Sequence, residues 1–471
     1  MSHIKDSTMT ITKIFNRNVS TKLLLIMTLL NAHGANSTEE ERTSRISDAS
    51  VTELDIENFP ERPAPILELG NDFLNPGNIG KGIEMPGGAV WQPSLLVFGT
   101  FRSALQNFDA NGVETNEFAS RLDLYANLQL TGTERILLGV RPLDQNGRFT
   151  SYEFGRNDDD NWQDELNSDI TTLFFEGDFG ELFPNLDKND TKGYDIGFSI
   201  GRQPLNYQEG MLINDSIDAI GITRNTLLPN GGSDMQITFI YGWNEIHRNN
   251  NIEDDNTNLY GLFVAMDRPS TTLNFDLVYI DDKDGDTDGI FWGVSDVRRI
   301  GHYNLSSRIL GSHALEQESA VVSDGYLAFA ELSWTPAWTD DNVYVNAFVG
   351  IDDFSSASRG PDNGGPLGRT GILFSAIGLG HYGAPLSDTA QKTYGFALGY
   401  QQFINPIKNQ FIYEVGFKKE TEDSKETSVA AALRYAHVLS QRMVFQFDIF
   451  KTFNQETEDA QGVRAELLVQ F

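Results

Sequence analysis

Most of this chain alternates. From Ala89 to the C-terminal Phe471 it is a train of segments, each about ten residues long, with apolar side chains at every second position and polar turns between segments. Phe118, Leu122, Leu124, Ala126, Leu128 and Leu130 share one face of their segment, while Arg121, Asp123, Tyr125, Asn127 and Gln129 share the other. Further on, Phe411, Tyr413, Val415 and Phe417 alternate with Glu414, Gly416 and Lys418. The last segment sets Val463, Ala465, Leu467, Val469 and Phe471 against Arg464, Glu466 and Gln470. A period of two places successive side chains on opposite faces of a strand. A soluble sheet with one wet face gives the same local pattern. Here, however, the apolar face is bulky and charge-free in nearly every segment over most of the chain. That combination predicts an all-β fold, a transmembrane antiparallel barrel with lipid outside and water inside.

Segment starts fall near Pro93, Phe118, Arg135, Thr171, Tyr194, Ile217, Met235, Leu259, Leu273, Ile290, Asn304, Tyr326, Val343, Tyr394, Phe411, Val429, Met443 and Val463, which makes eighteen strands. Short turns at 131–134, 268–270, 404–409 and 438–441 are expected to face the periplasm. Long acidic connections at 144–169, 244–258, 281–289, 313–323 and 351–392 are expected to face outward, the last of them as a plug. The connection 184–193 is a long one on the short side. Trp243, Trp334 and Trp338 fall at segment ends, where an interfacial belt places them.

The N-terminus reads differently. Lys5, Lys13, Arg17 and Lys22 precede the mostly apolar stretch Leu23 to Leu30, and Asn31-Ala32-His33-Gly34-Ala35 follows. This is the order of a secretory signal, with cleavage expected near Ala35, and it is too short for a membrane-spanning helix. Pro60, Pro63, Pro65, Pro76 and Pro86 then interrupt any regular element. The expected organisation is a signal over 1–35, an irregular periplasmic leader over 36–88 and a barrel over 89–471, in the outer membrane of a Gram-negative bacterium. With no cysteine among 471 residues, disulfides, cysteine zinc sites and a cysteine nucleophile are excluded. With 35 Lys+Arg against 67 Asp+Glu, a net charge of −32 argues against a nucleic-acid partner.

Two enzyme-like motifs occur in the wrong setting. Gly197-Phe198-Ser199-Ile200-Gly201 fits a nucleophile elbow, but Ser199 lies inside an alternating strand with no helix after it. Gly378-Leu379-Gly380-His381-Tyr382-Gly383 fits a dinucleotide fingerprint, but Pro385 follows at once, so it reads as a tight loop at the barrel mouth. No catalytic residue is assigned. In the acidic run at 281–289, Asp282, Asp284, Asp286 and Asp288 stand at alternate positions beside glycine. Oxygen ligands so spaced suit Ca²⁺, yet Ser295 stands where a calcium loop starting at Asp284 needs its glutamate. A solvated acidic tip is the plainer reading, and calcium is the one cofactor considered. Such loops suit divalent-cation bridging to lipopolysaccharide.

The polar face of the clearer strands carries Arg102, Arg121, Arg135, Arg141, Arg308, Lys418, Arg434 and Arg464 as bases, with Asp123, Glu176, Asp178, Asp276, Glu331, Glu414, Asp448 and Glu466 as acids. Against the excess of acid in the whole chain, the lumen is enriched in base. Arginine forks pair with carboxylates or phosphates, and charged rings set selectivity in pores. Arg–acid pairs also brace a wall, and the two readings are compatible.

Gly87-Gly88-Ala89-Val90-Trp91-Gln92-Pro93, Gly201-Arg202-Gln203 with Glu209-Gly210, and Gly364-Gly365-Pro366-Leu367-Gly368-Arg369-Thr370-Gly371-Ile372 resemble the alginate-export family of outer-membrane proteins. The resemblance implies an eighteen-stranded barrel with an arginine-rich lumen. It further implies a passive conduit for an anionic uronate polysaccharide or oligosaccharide, served by periplasmic export partners. The expected function is a non-enzymatic porin-like channel for a hydrophilic, anionic saccharide. A porin for other small solutes and a sheath around a partner protein are the alternatives.

Overall fold

The computed structural model describes residues 64–70 and 81–471, apart from 111, 155–160, 190, 192, 284, 406–407 and 423–425. The expected signal, 1–35, and the leader residues 36–63 and 71–80 lie outside the described residues.

Eighteen strands build the wall. The first six are β1 (Ser94–Ala110), β2 (Val113–Gln129), β3 (Arg135–Val140), β4 (Ile170–Asp178), β5 (Ile196–Tyr207) and β6 (Ile213–Leu227). There follow β7 (Asp234–Asn244), β8 (Thr257–Arg268), β9 (Thr271–Asp282), β10 (Gly289–Ile300), β11 (Tyr303–Ala314) and β12 (Gly325–Trp334). The last are β13 (Asn342–Asp352), β14 (Thr393–Ile404), β15 (Asn409–Glu420), β16 (Thr427–Ser440), β17 (Met443–Asn454) and β18 (Ala460–Gln470). Sequential neighbours pair antiparallel, and β18 returns to β1, with Gln461 opposite Asp109 and Gln470 opposite Thr100. Closure leaves the hydrocarbon no strand edge with unpaired N–H and C=O groups. Phe471 adds two backbone bonds to Gly99, at 2.8 and 3.1 Å. Past that point Leu67–Leu69 pairs with Leu95–Val97 of β1, and Ile83–Glu84 pairs with Val90–Trp91. The described parts of the leader are thus not wholly irregular.

The outer face is as the alternation predicts. Leu105, Phe118, Ile200, Phe239, Phe275, Val415 and Val463 project outward and are exposed by the protein itself. Aromatics rim this band: Tyr241, Tyr260 and Tyr279 form a ladder across β7–β9 with ring centroids 5.2 and 6.0 Å apart, and Trp243 lies beside Tyr241. At the opposite end Trp334 packs on Tyr303. Putting Val415→Arg into this face should destabilise the folded barrel by about 2–4 kcal/mol if the residue sits at the bilayer midplane. Urea titration in lipid vesicles, read by heat-modifiable gel mobility, checks this.

The interior is less uniform than the sequence suggests. Lumen-facing Ile217, Leu259, Ile280, Phe291, Leu310 and Leu327 of β6 and β8–β12 are fully buried. They form one apolar core with Phe354, Leu367, Leu373 and Phe374 of the connection 353–392. That connection is folded into the barrel as a plug. A second element enters beside it. The β4–β5 ladder stops at Leu173–Arg202, although β5 runs on to Tyr207 beside β6. The break lies at Gly201, whose φ is +121° and where a Cβ would stand 2.2 Å from the Leu173 carbonyl oxygen, so only glycine is accommodated. Beyond it the β5–β6 tip bends inward. Met211 and Leu212 are buried, and Ile213–Asn214 pairs in parallel with Ser358–Arg359 of the plug.

Candidate functional site

The plug and the β5–β6 tip are tied by Arg359, which is buried in a cage of carbonyls: Gly210 and Gly364 at 2.6 Å and Asn363 at 2.9 Å. Burial lowers its pKa to about 10, still well above neutrality. On the far side the plug is held by wall side chains. Glu414 accepts the backbone N–H groups of Ile372 and Leu373, at 3.1 and 2.9 Å, and the Tyr344 hydroxyl. Lys418 donates to the Thr389 carbonyl at 2.8 Å. Gln106 donates to Leu379 O at 3.2 Å, and Thr452 to Pro385 O at 2.9 Å. Glu117 accepts from the backbone N–H of His381 and lies 3.0 Å from its Nδ1. That contact, the largest influence on the His381 ring, raises its pKa and favours the charged form. Gly380 passes so close to the wall that a Cβ would stand 2.3 Å from both Gln106 and Glu117. The glycine-rich 378–383 motif is therefore a close-approach loop, and Ser199 lies mid-strand in β5, opposite Glu176 and Gly221.

Opposite the apolar core runs a charged belt. Arg434, Asp448 and Arg464 are direct cross-strand neighbours on β16, β17 and β18, with contacts of 2.6 and 2.9 Å. Arg464 also meets Glu466, and Glu466 holds Arg102 at 2.7 Å. Arg102 faces Arg121 across β1 and β2, a like-charge pair relieved because both forks donate to Gly378 O of the plug, at 3.3 and 2.9 Å. Arg121 pairs with Asp123 at 3.0 Å and with Asp362 of the plug at 2.5 Å. Arg141 reaches Asp123 at 2.8 Å and both Asp144 and Asp362 at 3.1 Å. Burial by itself raises the Asp362 carboxyl, but Arg141 and Arg121 outweigh it and hold its pKa low. Burial wins at Asp144, which is pushed up to about 6 despite Arg141.

The remaining lumen-face residues are dispersed. Arg135 and Glu176 pair at 2.5 Å at the periplasmic end, on side chains about one-third exposed. Asp178 is instead a helix cap, accepting from Gly180 N at 2.8 Å. Arg308 donates to Gln208 O of the inward tip and to Ser306, which stands opposite Glu331, while Asp276 accepts from Gln208 at 2.7 Å. In the acidic 283–288 turn, Asp288 accepts the Asp282 N–H at 2.8 Å and Asp282 accepts the Thr287 hydroxyl. Asp286 is exposed, and Asp284 lies outside the described residues.

Between belt, plug and tip remains a cavity of about 720 Å³, lined among others by Tyr125, Arg141, Arg202, Asp215, Asp362 and Arg369. A smaller one of about 270 Å³ lies under the tip, against Asp276 and Arg308. The sequence reading did not single out Asp144, Asp215, Arg359 or Asp362. An arginine and an aspartate inside a loop expected to enter the lumen were the available signal for the last two.

A closed barrel with an apolar outer band and a charged, plugged interior defines an outer-membrane β-barrel protein. Solved structures of that class resemble it. The outer membrane protein opdK from Pseudomonas aeruginosa is 11% identical with a TM-score of 0.53, over 80% of this chain and 98% of that one. OccAB3 from Acinetobacter baumannii is 11% identical with a TM-score of 0.53, over 80% and 99%. A BenF-like porin from Pseudomonas fluorescens Pf-5 is 11% identical with a TM-score of 0.51, over 80% and 98%. At such identities the likeness is one of fold. No protein-family model and no curated protein sequence matches the chain.

Proposed function

We propose that this protein is a non-enzymatic, porin-like channel that passes a hydrophilic, anionic saccharide of oligosaccharide length, a uronate by the resemblance to the alginate-export family. The observation that carries the reading is the stretch Arg434–Asp448–Arg464–Glu466–Arg102, in which three guanidinium groups share two carboxylates. A solute carboxylate can take a place in that row without stripping a charge bare. Weak, repeated exchange of this kind lets a solute enter and leave, whereas one tight site would trap it. The length follows from the plug. Its hydrogen bonds to Glu414, Lys418, Arg102 and Arg121, each worth about 1.5–3 kcal/mol when one partner is charged, sum to roughly 10 kcal/mol or more. Spontaneous unplugging for a polymer is thus rare, and transport runs beside the plug, past that row and through a separate cavity of saccharide size lined by Arg141, Arg202 and Arg369. On the same reading the acidic outer loops face lipopolysaccharide through bridging divalent cations.

Planar-bilayer recordings test this. The expected result is a reversal potential favouring chloride over potassium, with current blocked by oligouronates and not by neutral oligosaccharides of equal length. A cation-preferring pore indifferent to oligouronates would overturn the proposal.

A further inference from the structure

Glu245, His247 and Glu253 lie on the β7–β8 connection, apart from the charged belt. Glu245 stands two residues before His247 at a left-handed bend (φ +57°) that ends β7, and His247 stands opposite Glu253 in an antiparallel bridge. The bridge sets His247 beside Glu253, and the bend turns Glu245 toward the same cluster. One ligand atom from each lies within 4.8 Å of the other two. That face opens on the larger cavity, whose lining includes all three residues.

The histidine is held from behind. The buried Asp215 carboxylate lies 2.9 Å from His247 Nδ1 and also accepts the His247 backbone N–H at 2.9 Å. An acceptor at Nδ1 places the ring proton there and leaves the Nε2 lone pair free. This is the carboxylate–imidazole arrangement that orients metal-ligating histidines. The neighbouring charges are Arg202, which bonds Glu245 at 2.8 Å and Asp218 at 3.0 Å, and the buried Arg359, which is satisfied by carbonyls. One shared arginine leaves the three carboxylates Asp215, Glu245 and Glu253 short of positive charge. The other cluster of comparable composition, Glu117, Glu153 and His381, differs. There the imidazole Nδ1 is itself spent on Glu117 and the ring is half-exposed.

We propose that Glu245, His247 and Glu253, with Asp215 as the positioning residue, bind a divalent first-row transition-metal ion, zinc or a close analogue, in the outer cavity of the barrel. An imidazole with two carboxylates suits such an ion better than calcium, which takes oxygen ligands alone. Three protein ligands leave a coordination position for water or for an anionic group in the cavity. The site stands whether or not the transported solute is a uronate.

The test uses the untagged barrel in detergent, freed of metal by a chelator and titrated with zinc by calorimetry, then with cobalt by visible absorption. Wild-type protein should bind one zinc ion saturably and give a cobalt spectrum. His247→Gln and Glu253→Gln should each weaken zinc at least tenfold and abolish the spectrum, and Asp215→Asn should weaken zinc about 10–100-fold. His313→Ala, which removes an exposed histidine near the end of β11, should change neither. Heat-modifiable mobility verifies that each variant is folded, and Glu245→Gln on the half-buried ligand serves if the buried variants fail to fold. Absence of saturable zinc binding overturns the proposal, and so does binding that His247→Gln, or Glu245→Gln in its stead, leaves intact.

Discussion

Excision of residues 355–390, with the flanks joined by a short Gly–Ser linker, is expected to raise single-channel conductance several-fold while the barrel still folds. The wall does not depend on the plug for its ladder, because β13 pairs directly with β14 from Asn342–Gln401 to Val349–Tyr394. What the excision removes is the filling: Leu367, Leu373, Phe374 and Leu386 leave the lumen, and water enters against Leu259, Ile280 and Phe291. Wetting those faces costs about 25 cal/mol per Å², so a lower unfolding midpoint is expected with the larger conductance. A gentler variant separates filling from folding. Glu414→Ala takes the acceptor from the Ile372 and Leu373 N–H groups, at about 1–3 kcal/mol for each buried donor left unpaired. It should give flickering, noisier currents and faster proteolysis within the plug at unchanged heat-modifiable mobility. A wild-type conductance in the excised barrel would mean that the loop does not obstruct the path.

The wall was legible in the sequence because lipid enforces the period of two residue by residue. Phe118 through Leu130 and Val463 through Phe471 could be assigned to faces without any tertiary information. Legibility fails where a segment leaves the lipid. The predicted start at Ile217 misses Ile213–Ser216 because those residues bend inward with the tip and so carry no lipid-facing code. Asp281 and Asp282 read as loop but belong to β9, since barrel strands run on past the hydrocarbon, where acidic side chains are solvated. Leu259, Ile280, Phe291 and Leu310 hid the plug's seat, because an apolar side chain facing a plug looks in sequence like one facing acyl chains. Five of the charged residues assigned to the lumen, Arg102, Arg121, Arg141, Glu414 and Lys418, bond the plug directly. Glu414 and Lys418 could be placed on the inner face by parity, but their partners Ile372 and Thr389 lie tens of residues away in a segment without periodicity. The pairing of Asp215 with His247 is invisible for the same reason.

Opposite shifts in ion preference are expected from two sets of substitutions in the belt, and they decide whether it selects solutes or only braces the wall. Arg102→Gln with Arg434→Gln leaves Arg464 alone with Asp448 and Glu466, turning a local surplus of one positive charge into a surplus of one negative. Asp448→Asn with Glu466→Gln leaves three guanidinium groups without a carboxylate in that row. If the belt sets the field in the pore, the first pair moves the reversal potential toward potassium and the second toward chloride. If the pairs serve only as struts, both sets destabilise the barrel and neither moves the potential. Stability alone is a weak reason to keep such pairs, since buried ion pairs often do no better than apolar residues of the same volume. The arginines are chosen for their wetness: the Arg102 and Arg434 side chains keep 22% and 20% of their surface exposed, while Arg464 keeps none. Water can therefore take over the bonds the first two lose, whereas removing the fully buried Arg464 would take one guanidinium from both Asp448 and Glu466 where water does not reach, and breaking a buried pair costs about 3–5 kcal/mol. Ionic strength supplies an internal control. With a Debye length of about 10 Å at 0.1 M and about 3 Å at 1 M, the preference should be plain in dilute salt and fade in concentrated salt. A preference carried by pore width instead would persist at both.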